Sequence, residues 1–363
     1  MRKTSTFFLG LVFLIFLVIS TNSEPRFSET NTQEKNAQLL TSWLVTLYQQ
    51  GEFSGVVLYA EKGQIKYQQS LGTADIHGKK PLSLDSSFNL ASVSKQFTAT
   101  AIMLLKQDGK LEYDQTVQTY LTEFPYGNIT VRHLLNHTSG LTDYIKLAKK
   151  YWDRSKIFTN DDMLALFAKY KPELEFKPGS AFAYSNTGYV VLSEIVERVS
   201  GSTFESFLSQ RIFQPLNMKN SRVFNLLSKD KTFETRVFGK KGNKLNDLII
   251  LDGVTGDGAV YASANDLLRW DQAIYQNKLI KKELQDEAFK PVTFVNGEKS
   301  YYGFGWSLSK NKDYVIHAGA WVGFSTVILR NFVNKSVTII LTNNSNMKYL
   351  KTISESLGKI FGS

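Results

Sequence analysis

The chain carries two kinds of apolar pattern, one typical of helices and one typical of strands. In residues 36–50 the apolar positions recur every three to four residues, which predicts a helix closed by Gly51. Residues 53–60 and 64–70 have the pattern of two strands joined by a short turn, as in a hairpin. The helical pattern returns over residues 92–107. The first part of the chain therefore predicts a helix, a hairpin and a second helix.

The rest of the chain divides into a helical middle and a strand-rich end. From residue 91 to residue 290 the pattern is mainly helical with long loops, and clear helices are predicted at 190–200 and 264–275. After Pro291 the pattern changes to short strands followed by one final helix. We predict strands at 301–309, 314–318, 324–332 and 335–343, and a helix at 347–361.

Strands at both ends of the chain with helices between them predict one antiparallel sheet built from both terminal segments. The fold class is therefore α/β (α+β), with the terminal helices packed on the sheet. We predict a single domain over residues 36–363, in which 36–90 and 291–363 form the sheet lobe and 91–290 a mainly helical lobe. A cleft between the lobes is the expected place for a functional site.

The N-terminal segment has the pattern of a signal peptide. Arg2 and Lys3 form a basic start, an apolar run extends from Phe7 to Ile19, and small polar residues follow up to Ser23. The apolar run is shorter than the roughly 20 residues that a membrane-spanning helix needs. We predict a signal peptide over residues 1–23 and a flexible lead-in over 24–35. The protein is then exported, periplasmic or secreted, with no stable membrane span after cleavage; an uncleaved anchor is the alternative.

Composition narrows the chemistry further. The formal net charge is +10, but the basic residues are scattered and no nucleic-acid motif occurs, which indicates no nucleic-acid partner. We interpret the net positive charge as a contribution to solubility, with attraction to an acidic envelope polymer as the alternative. The chain has no cysteine and four histidines, and it lacks H-E-x-x-H, P-loop, G-x-G-x-x-G and G-x-S-x-G motifs. We expect no metal and no cofactor.

An S-x-x-K motif at Ser92 to Lys95 is the first candidate for catalysis. The motif alone is weak, because it also occurs at Ser228, Ser307, Ser309, Ser345 and Ser356. Only Ser92 lies at a predicted transition from strand to helix, where free N–H groups can stabilise a developing oxyanion. A serine hydroxyl needs a base, and a lysine three residues later on a helix shares its face. The structural alternative is a helix cap and a surface charge.

A Y-x-N motif at Tyr184 to Asn186 is the second candidate. A tyrosine beside a lysine cation can act as a base or an acid, and an asparagine can bond both the lysine and a substrate amide. Tyr126 and Tyr275 match the same pattern. The structural alternative is that Tyr184 belongs to the core and Asn186 to a turn.

An H-x-G motif at His317 to Gly319 closes a predicted strand. Gly319 would let a substrate approach the strand edge closely. The backbone N–H of Ala320, together with that of Ser92, would form an oxyanion hole. The structural alternative for His317 is a satisfied polar group at a strand end.

The three motifs, in this order, resemble those of the serine β-lactamase-related, penicillin-binding family, which includes class C β-lactamases, DD-peptidases and esterases. Three further segments are similar to conserved stretches of that family: 134–141 (L-L-N-H-T-S-G-L), the glycine-containing 256–270, and the aromatic-glycine stretch 302–306. The resemblance extends from about residue 36 to the C-terminus. It implies the same antiparallel sheet and helical lobe.

The resemblance also implies roles for the motif residues. Ser92 would be acylated, and Lys95 and Tyr184 would share the proton transfers, with the base left open between them. Asn186 would position the substrate, and His317, Gly319 and Ala320 would form the third substrate-binding motif. No residue is assigned as a metal ligand. A triad of His137, Ser139 and Asp143 is an alternative, but the resemblance makes that segment structural.

The sequence departs from the family pattern at two positions. His317 stands where a lysine is common, and an imidazole titrates near 6.5, so a fixed cation for a substrate carboxylate is not assured. Asp257 stands where a small residue is common.

These features predict an exported serine hydrolase that cleaves an amide or ester bond through an acyl-enzyme on Ser92. The substrate would be a small or peptide-like acyl compound, with a cell-wall fragment as one option. The alternatives are an esterase or D-amino-acid peptidase of the same fold, or a non-catalytic penicillin-binding-like protein. The sequence leaves open the natural substrate, the deacylation rate, the oligomeric state and the signal cleavage site.

Overall fold

The computed structural model describes residues 24–362 except residues 29 and 243. The predicted signal peptide, residues 1–23, lies outside the described residues. Within the described ranges, no helix is both long and apolar enough to cross a membrane.

The helices and strands follow the predicted order of strands, helices and strands. The helices are α1 Gln33–Gln49, α2 Lys95–Gln107, α3 Val131–Leu135, α4 Tyr144–Tyr151, α5 Asn160–Tyr170, α6 Asn186–Ser200, α7 Phe204–Leu208, α8 Ala264–Tyr275, α9 Lys282–Ala288 and α10 Leu350–Phe361. The strands are β1 Gly55–Glu61, β2 Gln64–Leu71, β3 Phe88–Asn89, β4 Arg222–Val223, β5 Lys240–Lys241, β6 Lys244–Leu245, β7 Val260–Ala262, β8 Val292–Thr293, β9 Lys299–Ser300, β10 Ser307–Leu308, β11 Tyr314–Trp321, β12 Phe324–Asn331 and β13 Ser336–Thr342. Shorter helical turns cover Ala91–Ser94, Val117–Thr119 and Ser209–Phe213.

The main sheet joins the two ends of the chain. Its strand order is β10-β11-β12-β13-β1-β2 and its pairs are antiparallel. Strand β1 pairs with β13 over its whole length, from Gly55↔Thr342 to Glu61↔Ser336. The predicted fold class, with one antiparallel sheet made by both terminal segments, is confirmed.

Both faces of this sheet are covered at its centre, where every residue of β13 and all but the last residue of β1 are buried. Alternate residues of a strand point to opposite faces. Val57 and Tyr59 belong to the apolar cluster under α1 and α10, whereas Val56 and Leu58 belong to the larger cluster that continues into the helical lobe. Burial on both faces therefore replaces the alternating pattern of a half-exposed sheet.

The helical lobe packs around α2, the helix that follows Ser92. Its residues from Lys95 to Leu105 are all buried, so this helix is enclosed on every side. Apolar residues of α5, α6 and α8 share one cluster with it. The enclosed helix fixes the position of the chain segment that precedes it.

A second sheet within the helical region is not predicted by the sequence. Strand β3 pairs with β7, and β7 pairs with β4. These strands have two or three residues each, too few to show a period of two. Their importance is positional, because β3 ends at Asn89, three residues before Ser92.

Two predicted boundaries differ from the structure for local reasons. Ser92 lies in the turn Ala91–Ser94, and the α-helix itself begins at Lys95. The strand predicted at 301–309 is interrupted, since only Ser307–Leu308 pairs with β11. Gly305 has φ +78° and lies so close to α2 that an added Cβ would stand 2.8 Å from the Lys95 carbonyl oxygen. This close approach requires a turn instead of a strand.

Candidate active site

Ser92 is held at a strained turn between strand β3 and helix α2. Ala91, which precedes it, has φ +48°, a left-handed conformation that is unfavourable for residues with a Cβ. The Ala91 N–H donates to Asn89 Oδ1 at 2.9 Å, and the Leu90 N–H donates to the Val260 carbonyl at 2.9 Å. Such strain persists where surrounding contacts enforce it, and it is common at functional sites. The turn presents a half-buried Ser92 to the cleft.

Lys95 provides the polar partner of the Ser92 hydroxyl. Its Nζ lies 3.1 Å from Ser92 Oγ, 2.9 Å from Asn186 Oδ1 and 2.9 Å from the Asp257 carbonyl oxygen. The last two atoms can only accept hydrogen bonds, whereas a hydroxyl can accept or donate. A neutral Lys95 could therefore satisfy both carbonyls with its two protons and take the Ser92 proton with its lone pair. The proton can pass between Oγ and Nζ without displacing either atom.

Asn186 is oriented by a carboxylate behind it. Its Nδ2 donates to Asp143 Oδ2 at 2.9 Å, so its Oδ1 faces Lys95. Asp143 is itself fixed as the N-cap of α4, where its Oδ1 accepts the Ile145 N–H at 2.9 Å. From the sequence, Asp143 was predicted only as a member of the alternative triad. Its position a few residues after the H-T-S-G-L segment was the available signal.

Tyr184 contacts Lys95 through its ring. The centroid lies 5.0 Å from Lys95 Nζ, within the range of a cation–π contact, and the side chain is 42% exposed. In the described part of the chain, its hydroxyl bonds neither Ser92 nor Lys95. Of the two candidate bases, Lys95 is thus the one that can take the Ser92 proton directly. This geometry favours Lys95 over Tyr184 as the base.

His137 holds the backbone on both sides of Tyr184. Its carbonyl accepts the Ala183 N–H at 3.0 Å, its Nδ1 accepts the Ser185 N–H at 3.3 Å, and its ring lies 4.2 Å from the Tyr184 ring. Burial, with added repulsion from Lys95, lowers the pKa of His137 well below its usual value. No hydrogen bond joins His137 to Asp143 in the described ranges, so the alternative triad is not formed.

His317 is buried behind the cleft, with 5% of its surface exposed. Nδ1 lies 2.9 Å from the Ala318 carbonyl, so it carries the proton, and Nε2 lies 2.9 Å from the Tyr302 hydroxyl. Burial raises the pKa of Tyr302 well above its usual value, which keeps that hydroxyl a donor. Burial, assisted by Lys95, lowers the pKa of His317 to about 3. A positive charge at this motif is therefore absent near neutral pH.

The backbone after His317 faces Ser92. A Cβ added to Gly319 would stand 2.4 Å from the Leu90 carbonyl oxygen and 2.9 Å from the Ser92 nitrogen, so only glycine fits there. A two-residue turn joins Trp321 to Phe324, which makes them a hydrogen-bonded pair. In the next pair, Ala320↔Ser325, the N–H groups point away from each other. The Ala320 N–H thus points to the open edge of β11, on the side of Ser92.

A cavity of about 100 Å³ opens beside these groups. Its wall includes Ser92, Asn186, Ala320 and Trp321, together with residues that were not assigned to the site from the sequence: Asn89, Ala91, Tyr144, Leu251, Asp252, Val254, Gly258 and Ala259. Asp257, noted from the sequence only as a departure, also lines it. Within the described ranges, no group of three or more His, Cys, Asp or Glu side chains could hold a metal ion.

Comparison with known proteins identifies relatives of this chain. A family model described as Beta-lactamase matches residues 33–352. Penicillin-binding protein 4* of Bacillus subtilis is 40% identical over 86% of this chain and 72% of its own length. A D-aminopeptidase of Brucella anthropi is 31% identical over 74% of this chain, which spans about half (52%) of that relative.

Solved structures agree in fold. A penicillin-binding protein from Bacillus halodurans superposes with a TM-score of 0.75 at 27% identity, covering 88% of this chain and 99% of the other. A D-amino acid amidase from Ochrobactrum anthropi superposes with a TM-score of 0.71 over 91% of this chain and 97% of the other, and its 23% identity bears on the fold alone.

Proposed function

The chain belongs to the Beta-lactamase family of serine hydrolases, and from this premise we propose that it cleaves an amide bond through an acyl-enzyme on Ser92. The observation that carries the proposal is the 3.1 Å contact between Ser92 Oγ and Lys95 Nζ, with two carbonyl acceptors on the same nitrogen. A serine becomes a strong nucleophile only when such a base removes its proton.

The first half of the reaction forms the acyl-enzyme. Ser92 Oγ attacks the substrate carbonyl carbon and its proton moves to Lys95. The N–H groups of Ser92 and Ala320 stabilise the oxyanion. The bond from carbon to the leaving nitrogen then breaks, and we assign delivery of a proton to that nitrogen to Tyr184, whose exposed side chain lies on Lys95. Water then attacks the ester carbonyl carbon and gives one proton to the Tyr184 phenolate. The bond from that carbon to Oγ breaks, and Lys95 returns its proton to Ser92 as the acid leaves.

The substrate class proposed is a small or peptide-like amide of a D-amino acid, including fragments of the cell wall. Relatives named D-aminopeptidase and penicillin-binding protein support this class. An esterase is the second candidate, favoured by one observation: the neutral His317 offers no cation for a substrate carboxylate. Parallel assays with a D-amino acid amide, a D-Ala-D-Ala peptide, a p-nitrophenyl ester and nitrocefin would separate these specificities.

Labelling of Ser92 tests the acyl-enzyme. A fluorophosphonate probe should add one adduct to the protein, measured by intact mass, and Ser92→Ala should abolish it. Ser228→Ala is the matched control, because Ser228 belongs to another S-x-x-K sequence in a loop and its loss should leave labelling unchanged. An adduct that survives Ser92→Ala, or none on the wild type, would contradict the proposal and favour a non-catalytic binding protein.

Export belongs to the same proposal. The pattern of residues 1–23 supports removal of a signal peptide during secretion. N-terminal sequencing of the protein recovered from the culture medium or periplasm should begin near residue 24. Recovery only from the cytoplasm with Met1 intact would contradict export.

A further inference from the structure

The cavity beside Ser92 occupies one side of the nucleophile. Its wall includes Ser92, Ala320 and residues of the segment 251–259, whereas Tyr184 does not line it. In the proposed reaction Tyr184 gives its proton to the leaving group, so the leaving group lies on the Tyr184 side. The cavity is therefore the place of the acyl part of the substrate.

This cavity is negatively charged in a protein that is positively charged overall. Asp252 and Asp257 line it, and no lysine, arginine or histidine does so in the described part of the chain. The formal net charge of the whole chain is +10. Lys95 lies behind the wall, but its Nζ bonds a hydroxyl, an amide oxygen and a backbone carbonyl, none of which is a carboxylate. Even with Lys95 protonated, the cavity retains an excess of negative charge.

The two carboxylates differ in their partners. Asp252 accepts hydrogen bonds from Trp321 Nε1 at 2.7 Å and from the Ile249 N–H at 2.6 Å, so its carboxylate holds the Trp321 side chain and the local backbone in place. Asp257 accepts one bond from another side chain, the long 3.3 Å bond from the Tyr144 hydroxyl. Burial raises the pKa of both carboxylates to about 6, for Asp257 in spite of the attraction of Lys95, so the difference between them lies in their hydrogen-bond partners. Asp257 is thus the carboxylate that a cation in the cavity would stabilise most.

We propose, on the basis of the function proposed above, that Asp257 makes the cavity selective for acyl groups that carry an ammonium group. An ammonium group donates charge-assisted hydrogen bonds, which are stronger than neutral ones and gain further from partial burial. Leu251 and Val254 give the same cavity an apolar side, which fits a small side chain next to the ammonium. The acyl class is therefore an amino acid with a free amine.

A pair of substrates that differ only in this charge tests the proposal. In the wild type, kcat/KM for D-alanine p-nitroanilide should exceed that for its N-acetyl derivative about tenfold or more, as expected for a hydrogen bond to a charged group. Asp257→Asn should reduce this ratio about tenfold, because it removes the charge and keeps the backbone carbonyl that bonds Lys95. Asp230→Asn, at an exposed carboxylate, should keep the ratio.

A second measurement needs no variant. The uncharged fluorophosphonate labels Ser92 whatever the acyl preference, and D-alaninamide should slow that labelling at a lower concentration than N-acetyl-D-alaninamide. Equal protection, or a wild-type ratio near one, would overturn the ammonium preference while labelling still supports the acyl-enzyme. A high ratio that persists in Asp257→Asn would overturn the role of Asp257. Absence of labelling would instead remove the proposed function itself.

Discussion

Lys95 and His317 are basic side chains buried beside one cleft, yet their hydrogen-bond partners suit them to different roles. Lys95 Nζ faces three oxygen atoms at 2.9–3.1 Å, of which two can only accept. His317 lies between one carbonyl and one hydroxyl, which a neutral ring with its proton on Nδ1 satisfies completely. The arrangement of donors and acceptors, more than the residue type, decides which group handles a proton.

The first motif, at Ser92 to Lys95, and the third motif, at His317 to Gly319, would contribute to catalysis in different ways. The first motif would act through a side chain, because Lys95 exchanges a proton with Ser92. The third motif would act through its backbone, because the Ala320 N–H points to the cleft while the His317 ring stays internal. The motif substitutions below separate these modes, and the last experiment tests the state of His317.

Replacement of Lys95 should have the largest effect. Lys95→Met keeps most of the buried volume but removes the base, and general-base catalysis contributes up to about 10⁴-fold. We expect the second-order rate of fluorophosphonate labelling at Ser92 to fall about 10³-fold. Lys149→Met, an exposed residue of α4, should label at the wild-type rate. A Lys95→Met protein that folds and labels within tenfold of wild type would place the base elsewhere.

Gly319→Ala should have the next largest effect. The new Cβ would press on the Leu90 carbonyl and the Ser92 nitrogen, and would displace one of the two N–H donors from the oxyanion position. Loss of one such donor costs about 10²-fold in kcat. The measurement is kcat on an amide substrate, with circular dichroism as the check on folding.

Gly358→Ala provides the matched control for that substitution. A Cβ at Gly358 in α10 has no neighbour within 4 Å, so activity should be unchanged. If Gly319→Ala retains wild-type kcat, the backbone of the third motif does not contribute in the way inferred here.

Secondary structure could be predicted from the sequence where a buried segment is long enough to show a pattern of apolar residues. Strands β1 and β13 are buried apolar runs, and the sheet that they form was predicted correctly. The short strands β3, β7 and β4 have no readable period, although they position Ser92. The interruption at Gly305 depends on contact with α2, which is distant in sequence.

The site shows the same division. Motif order indicated that Ser92, Lys95 and Asn186 belong together, and the structure places them within hydrogen-bonding distance. The orientation of Asn186 by Asp143 and the internal bonds of His317 depend on tertiary contacts that spacing does not encode. The charge state of His317 likewise depends on burial, which no motif specifies.

The smallest expected effect concerns stability and tests the neutral state of His317. Burial lowers its pKa to about 3, so between pH 6.5 and 3 the unfolded chain binds a proton that the folded chain does not. This histidine therefore costs stability as the pH falls through that window, and has no such effect above it. His317→Asn removes the titration and keeps a donor for the Ala318 carbonyl.

The free energy of unfolding in urea at pH 7 and pH 5 measures this term. Relative to His317→Asn, the wild type should lose about 2 kcal/mol between the two pH values. Burial also raises the pKa of Asp252 to about 6, and a carboxyl group with a raised pKa increases the free energy of unfolding as the pH falls. Asp252 is present in both proteins, so its effect cancels in the difference. A difference that stays constant would mean that His317 binds its proton equally in both states, and the contrast with Lys95 would then fail.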